Sequence, residues 1–219
     1  AGAWGRRVAA AVTDMNQPLG TAIGNALDVA EAVAILRGER GGRLLDLVIE
    51  LAAAAQVALG GAEEGEARRH ARDAIASGRA AETFRAMVAA QGGDPRVIDD
   101  PAAVLPSAPV VRPILLERSG VLGGVDAEGL GRAAAALGAG RRRKGDPVDP
   151  AVGIVFAPKI GDEIHAGGTA GEIHARSEDA ADEAHRRVVS ALEVVDGPVD
   201  PPPLVYGWRS EGSDPSRTS

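Results

Sequence analysis

The sequence predicts an α/β unit, built from one or a few strands plus helices, followed by an α+β domain. The first part carries apolar residues at helical spacing over several stretches that follow a single apolar strand-like run. Prolines then accumulate at 93–109, and beyond them short β-type runs alternate with turns. These observations predict three segments: residues 1–107, residues 108–195 and a proline-rich, partly disordered tail at 196–219.

The first unit opens on an apolar run at residues 8–13, which predicts a buried strand of the parallel type. No initiator methionine precedes it, which is expected of a chain cut from a larger protein, and an ordinary mature terminus is the alternative. A turn at 16–18 and a loop with Gly20 and Gly24 follow. Four helices are then predicted, each with a glycine within two residues of its end, at 25–36, 44–59, 63–77 and 80–91.

The second unit is predicted to consist mostly of strands, with two helices between them. Ser177 is a favourable N-cap, and Glu178 and Asp179 follow it at the positive end of the helix dipole. The helices are predicted at 127–137 and 177–192. The strands are predicted at 110–116, 120–125, 152–157, 163–164 and 172–174.

Composition excludes several classes of protein. The chain has 219 residues and no cysteine, so thiol catalysis, thiolate zinc sites and disulfides are ruled out. The net charge of -7 and an aromatic content of 2% argue against nucleic acid as a partner. No apolar run approaches the roughly 20 residues of a membrane helix, and no stretch has the pattern of a signal peptide. We therefore expect a cytoplasmic protein without membrane or nucleic-acid partners.

The most specific stretch is residues 14–32, DMNQPLGTAIGNALDVAEA. It leads from the end of a strand into a helix through a glycine-rich loop, where α/β proteins usually bind ligands. Backbone carbonyls of such a loop are natural ligands for a hard cation. Glu31 lies on a partly apolar helix flank, where a carboxylate needs a partner. Geometry leaves two readings open for Glu31, a cation ligand or a solvated or arginine-paired side chain.

Three segments resemble the pyrimidine-nucleoside (thymidine) phosphorylase family, in the order in which they occur there. Residues 14–32 are similar to the family's DM-x-QPLG-x-A-x-GNALEV-x-EA segment. Residues 89–95, AAQGGDP, are similar to its AAQGGD segment, and residues 137–146 with 152–154, LGAGRRRKGD and VGI, to its LGAGR and VGI segments. The resemblance extends to about Tyr206.

The resemblance implies phosphorolysis of thymidine or uridine to the free base and pentose 1-phosphate, with phosphate as co-substrate, in nucleoside salvage and catabolism. It also implies a potassium ion bound by the backbone oxygens of Leu19 and Ala22 and the carboxylate of Glu31. The family's phosphate- and base-binding motifs have no counterpart in this sequence. We therefore expect no catalytic or substrate-binding residue here, no activity from this chain alone, and no family-type homodimer from it.

A second resemblance is confined to residues 159–167, KIGDEIHAG, and 171–173, GEI, which are similar to the turn-and-strand pattern of biotinyl and lipoyl carrier domains. It implies a barrel-sandwich-like sheet in the second unit. Carrier chemistry needs a lysine exposed on a hairpin tip, and neither Lys144 nor Lys159 is well placed for that role. The pattern therefore favours the fold of a carrier without its chemistry.

The remaining candidates have simpler interpretations. The basic run Arg141 to Lys144 predicts a solvated loop, with phosphate or nucleic-acid binding and closure over a cleft as alternatives. The four histidines lack metal-binding spacing. Two other functions remain open: a nucleoside-monophosphate phosphorylase of the same superfamily, and a non-enzymatic carrier-like or assembly module.

Overall fold

A computed structural model describes residues 7–141 and 143–210 of the chain. Two compact units divide these residues. Unit 1 contains residues up to Asp14, residues 35–82 and the segment from Pro203 onward, whereas unit 2 contains residues 15–34 and 83–202. This division differs from the predicted join at 107/108, because the segment 15–34 folds with the later part of the chain.

Unit 1 combines a two-stranded sheet with helices. Strand β1 (Ala9–Thr13) pairs antiparallel with β9 (Val205–Ser210), in a register that sets Ala11 opposite Trp208. A strand forms here, as predicted, but the expectation that it is buried and of the parallel type is wrong, since it pairs antiparallel and Val12 is 55% exposed. A two-stranded ribbon leaves much of both faces open, so an apolar run does not become buried by pairing once.

The helices of unit 1 are joined by a charged cluster. Helices α2 (Arg43–Ala58) and α3 (Glu64–Ala76) pack through alanines and larger apolar side chains. Arg68 of α3 donates to both carboxylate oxygens of Glu50 on α2, at 2.8 and 2.9 Å, and also pairs with Glu64. These hydrogen bonds lower the pKa of Glu50.

Unit 2 is built on two antiparallel sheets. Strands β2 (Ala22–Ile23), β5 (Gly153–Phe156), β7 (Thr169–Ala175) and β3 (Val110–Leu115) form one sheet in that order. Strands β6 (Glu163–Ile164), β4 (Gly120–Val125) and β8 (Leu192–Val195) form the other. The described strands all pair antiparallel. The predicted combination of helices and strands is confirmed.

Two helices of unit 2 contribute to its hydrophobic core. Helix α6 (Ala127–Leu137) begins at Asp126, whose side chain accepts from the Gly129 amide, and ends at Gly138 with a φ of 113°, a left-handed conformation that favours glycine. Helix α7 (Glu178–Ser190) begins at Ser177, as predicted. Side chains of the helices and sheets meet in one cluster of fully buried residues that includes Ile114, Leu122, Leu130, Ile154, Phe156, Ile173 and Val188.

The other helices in the described part of the chain are two of 12 residues and two of four residues. Helix α1 (Asn25–Leu36) has the predicted bounds, and α4 (Arg79–Ala90) lies within one residue of its predicted bounds. The segment predicted as an extended linker instead contains a 3₁₀ helix at Pro95–Ile98 and a helical turn, α5, at Pro101–Val104. Asp94 and Asp100 cap these two elements. Proline at the first helical position starts such turns as readily as it interrupts longer helices.

Strand β9 lies within the segment predicted as a tail, and residues 211–219 of that tail lie outside the described residues. None of the helices in the described part of the chain is long and apolar enough to cross a membrane.

Candidate functional site

The segment 14–32 contains the buried polar side chains of the described residues. Asp14, Gln17 and Glu31 are 5%, 4% and 7% exposed, and they are the buried polar or charged residues of the described part of the chain. Burial of polar groups costs free energy unless each finds partners. Gln17 and Glu31 both lie in unit 2, and the part of the segment that carries them is the candidate site.

Glu31 accepts hydrogen bonds from the loop that precedes its own helix. Its Oε1 accepts from the Thr21 amide at 2.9 Å and from the Thr21 hydroxyl at 2.7 Å. Its Oε2 accepts from the amides of Thr21 and Ala22, both at 3.1 Å. The reading of Glu31 as a solvated side chain is therefore wrong. The carboxylate folds the loop back onto helix α1.

The other side of the loop is held by the turn between β5 and β6. The ammonium group of Lys159 donates to the carbonyls of Pro18 and Gly20, at 2.8 and 2.6 Å. The next residue, Ile160, donates its amide to the side-chain oxygen of Gln17 at 2.9 Å. Residues 17–22 are thus bound by a carboxylate from one element and by an ammonium and an amide from another.

Two glycines bring β2 and β5 into close contact. A Cβ on Gly24 would lie 2.6 Å from the Val152 carbonyl oxygen, and a Cβ on Gly153 would lie 2.5 Å from that of Ile23. Nearby, the Asn25 side chain donates to the carbonyl of Ala139 at 3.0 Å. The IGN, LGAG and VGI sequences therefore meet in space, which gives these separate segments one structural role.

Asp28 is a second acidic residue of this site, in the first turn of α1 and three residues before Glu31. Its Oδ1 accepts from the Gly24 amide at 3.3 Å. Partial burial raises its pKa, and the negative charge of Glu31 adds to this rise, while the hydrogen bond from Gly24 opposes it.

In unit 1, the buried Asp14 accepts from Arg43 at 2.9 Å, which pairs the carboxylate with an opposite charge.

The predicted metal ligands Leu19, Ala22 and Glu31 all belong to the segment 14–32. Phe156 donates its amide to the Thr21 carbonyl at 2.8 Å, and Ala22 is the next residue in register, opposite Val155. In an antiparallel pair, hydrogen-bonded and non-hydrogen-bonded positions alternate, so the amide and carbonyl of Ala22 both face away from β5. Glu31 lies on that side, since it accepts from the Ala22 amide. Leu19 lies between the two residues whose carbonyls bind Lys159.

The predicted donor set consists of oxygen atoms. A buried carboxylate and a strand carbonyl on the same side are hard oxygen ligands, and the adjacent carbonyls of Pro18 and Gly20 already bind one monovalent cation, the Lys159 ammonium. Within residues 7–141 and 143–210, no group of three or more His, Asp or Glu side chains could hold a metal ion. A cation at this site would therefore depend on backbone oxygens together with a single carboxylate.

The other predicted candidates lie apart from this segment or at the surface. Arg141, Arg143 and Lys144 are exposed, and Arg142 lies outside the described residues. Asp146 accepts from the Arg143 amide at 2.7 Å, which closes the loop into a turn. His174 on β7 has a partly buried ring whose Nε2 lies 3.6 Å from Glu172.

One segment of unit 2 has a counterpart among known protein families. Residues 121–195 match the sequence model of the pyrimidine nucleoside phosphorylase C-terminal domain. The chain therefore contains a segment similar to the C-terminal domain of pyrimidine nucleoside phosphorylases. The matched phosphorylase domain begins in β4 and ends with the last residue of β8. It contains Lys159 and Gly153, whereas their partners in the segment 14–24 precede it.

Sequence reasoning identified Glu31 but missed Lys159 and Gln17 as members of the same site. The sequence pattern around Lys159 suggests only a carrier lysine. The carbonyls that its ammonium group binds lie 141 and 139 positions earlier in the chain. One signal was available: Lys159 stands directly before a Gly-Asp turn, which fixes the backbone from which its side chain extends. The location of its partners depends on the tertiary fold.

Proposed function

We propose that this protein takes part in the phosphorolysis of a pyrimidine nucleoside, thymidine or uridine, to the free base and pentose 1-phosphate. The observation that carries the proposal is the phosphorylase C-terminal domain at residues 121–195. The buried polar site at 14–32, held by that domain, supports it. The proposed role is in nucleoside salvage and catabolism, in the cytoplasm, and the sheet of the domain is proposed to be barrel-sandwich-like.

The proposed reaction exchanges one bond at the sugar. An oxygen of hydrogen phosphate bonds to the anomeric carbon, and the bond from that carbon to the base nitrogen breaks. The electron pair of that bond leaves with the base, and the proton lost by the phosphate is taken up by the base. Catalysis needs donors that clamp the phosphate and that stabilise charge on the departing base. The 219 residues contain no counterpart of the family's phosphate-binding loop. We therefore assign no catalytic or substrate-binding residue to this chain and expect no turnover from it alone.

A potassium ion is part of the proposal. Leu19 and Ala22 would hold it through backbone oxygens and Glu31 through its carboxylate. The ion would supply positive charge beside the phosphate that enters the full enzyme. The residues of this chain would hold the ion and order the loop, in which the amides of Thr21 and Ala22 donate to Glu31.

The potassium site predicts a specific ion effect on stability. Potassium chloride at about ten times its dissociation constant should stabilise the chain by about 1.4 kcal/mol relative to tetramethylammonium chloride at equal ionic strength. The midpoint of thermal unfolding should rise by about 3 °C. Glu31→Gln should remove this difference, and Glu128→Gln on the surface of α6 should keep it. Equal midpoints in the two salts for the unsubstituted chain would contradict the assignment.

The function itself can be tested by substrate turnover. The 219-residue chain and the protein expressed with any coding sequence upstream of Ala1 should each be incubated with phosphate and thymidine, uridine or thymidine monophosphate. Formation of pentose 1-phosphate is measured by phosphorus NMR. We expect this product and the free base only when a phosphate-binding loop is present. Release from the monophosphate alone would favour the nucleoside-monophosphate phosphorylase. Absence of release from a protein that contains the loop would reject the proposal.

The carrier-like alternative receives little support from the geometry of its candidate lysines. The amine of Lys159 is engaged by two carbonyls, and Lys144 follows an arginine-rich run in an exposed turn. Intact-mass measurement of the protein from its native source would detect lipoyl or biotinyl groups. We expect an unmodified mass.

A further inference from the structure

We infer that the ammonium group of Lys159 acts as a tethered monovalent cation, which binds the carbonyls of Pro18 and Gly20 and positions the segment 17–22 on the phosphorylase C-terminal domain. Lys159 would thus be a positioning residue that acts through this segment. The inference concerns the folded chain, and it stands whether or not the proposed phosphorolysis is observed.

The turn that carries Lys159 is fixed before its side chain extends. The Lys159 amide donates to the Asp162 carboxylate at 2.8 Å, and the Asp162 amide donates back to the Lys159 carbonyl at 3.0 Å. Gly161, with a φ of 98°, donates to the carbonyl of Leu122 on β4 at 2.9 Å. Because the backbone is held at these points, less conformational entropy remains to be lost when the side chain binds.

The geometry of the contact suits a cationic donor. Two carbonyl oxygens converge on one nitrogen atom, at 2.8 and 2.6 Å, and an ammonium can serve both as a compact charge with three donors. Hydrogen bonds from charged donors are about twice as strong as neutral ones. An apolar side chain of similar length would fill the space and leave both carbonyls without this donor. A guanidinium has donors but a planar shape, so arginine should preserve only part of the contact.

The same segment links this cation to Glu31. Pro18 and Gly20 bind Lys159, and the following residues, Thr21 and Ala22, donate to the Glu31 carboxylate. Loss of the ammonium should therefore release amides that the ammonium itself does not touch. This transmitted effect separates a positioning role from a local packing role.

The first test needs no substitution. The chain has two lysines, and Lys144 is exposed, so it is an internal reference for the reactivity of Lys159. Brief treatment of the folded chain with N-hydroxysuccinimidyl acetate, followed by peptide mapping, should acetylate Lys159 at least about tenfold more slowly than Lys144, because its amine must first leave two charge-assisted hydrogen bonds. Equal rates would overturn the inference. The difference should vanish in denaturant.

The second test measures hydrogen exchange in variants. In Lys159→Met, exchange of the Thr21 and Ala22 amides should accelerate at least about tenfold, and Lys159→Arg should lie between Met and the unsubstituted chain. Lys144→Met, the matched control, should exchange as the unsubstituted chain does. Should Lys159→Met fail to fold, Lys159→Arg and the acetylation rates decide. Unchanged exchange in either folded Lys159 variant would overturn the inference.

Chemical rescue distinguishes a missing cation from missing packing. Ammonium chloride should restore part of the protection in Lys159→Met, and tetramethylammonium chloride at the same concentration should not, because it cannot donate to carbonyls. The gain is compared with any gain in the unsubstituted chain, which shares the proposed potassium site. Equal rescue by both salts, or an equal gain in both proteins, would overturn the role of Lys159 as the cation.

Discussion

Close contact between backbone segments restricts residue choice at two glycines of unit 2. Gly153→Ala would place a methyl carbon 2.5 Å from the Ile23 carbonyl oxygen, where neither backbone can give way cheaply. We expect a loss of about 2 kcal/mol in the free energy of unfolding, measured by urea denaturation. Gly131→Ala is the control, because it lies within α6 with nothing within 4 Å, and it should stabilise by about 0.5 kcal/mol. A neutral Gly153→Ala would contradict the close contact.

The partly buried His174 should make the free energy of unfolding depend on pH. Burial lowers its pKa below 6.5, although the nearby Glu172 carboxylate opposes this effect. The unfolded chain therefore binds a proton at a higher pH than the folded chain. Its contribution to stability is present above pH 6.5 and is lost as the pH falls through the folded-state pKa. Urea midpoints measured from pH 7.5 to 5 should fall less steeply in His174→Gln, whereas replacement of the exposed His70 is the control. An unchanged slope would contradict this prediction.

Individual residues differ in how far the sequence could predict their roles. Glu31 was identifiable because a carboxylate on an apolar helix flank needs a partner, and its burial is confirmed. Its predicted cation stays a prediction. The pairings of Lys159 with Pro18 and of Gln17 with Ile160 span more than 140 positions, and no local pattern encodes such a distance.

At the scale of elements, the longer helices and the short strand β6 were predicted, whereas strands β2 and β8 were not. The bounds of α1 and α6 agree with those predicted, because helical hydrogen bonds and caps are local. Strands β2 and β8 have two and four residues, and partners distant in sequence define them. Strand β1 was predicted, but the expectation that it is buried was wrong, because burial depends on what covers a sheet rather than on the run itself.

Helix caps provide a prediction at this scale. Asp126 starts α6 and its carboxylate accepts from the Gly129 amide at 2.8 Å, whereas Glu63, at the same position before α3, makes no such bond. Asp126→Ala should lower the free energy of unfolding by about 1 kcal/mol, and Glu63→Ala should change it by less than about 0.5 kcal/mol. Thermal or urea unfolding of both variants measures the difference. Equal effects would show that the Asp126 cap contributes nothing specific.

At the scale of the whole molecule, the division into units depends on pairings that composition cannot reveal. The proline-rich segment at 93–109 suggested a domain boundary, because prolines often mark linkers. In the structure it contains two capped helical turns within unit 2. The phosphorylase C-terminal domain was predictable from its motifs, whereas its attachment to residues 15–34 required the sheet pairing of β2 with β5.

The attachment of residues 15–34 to unit 2 predicts how the chain opens. Strand β2 is bonded to β5, the loop is bound by Lys159 and Gln17, and Ala26 donates its amide to the Pro150 carbonyl at 3.0 Å. Cooperative units share one opening free energy in native-state hydrogen exchange. In increasing denaturant, amides at 22–26 should therefore exchange together with those of β5 and β7. If they exchanged instead with amides of α2 and α3, while β5 and β7 stayed protected, the segment would belong energetically to unit 1. Because β2 contributes only two residues, loss of the Lys159 contacts should weaken its attachment. In Lys159→Met, amides at 22–26 should therefore exchange at a lower denaturant concentration than those of β7.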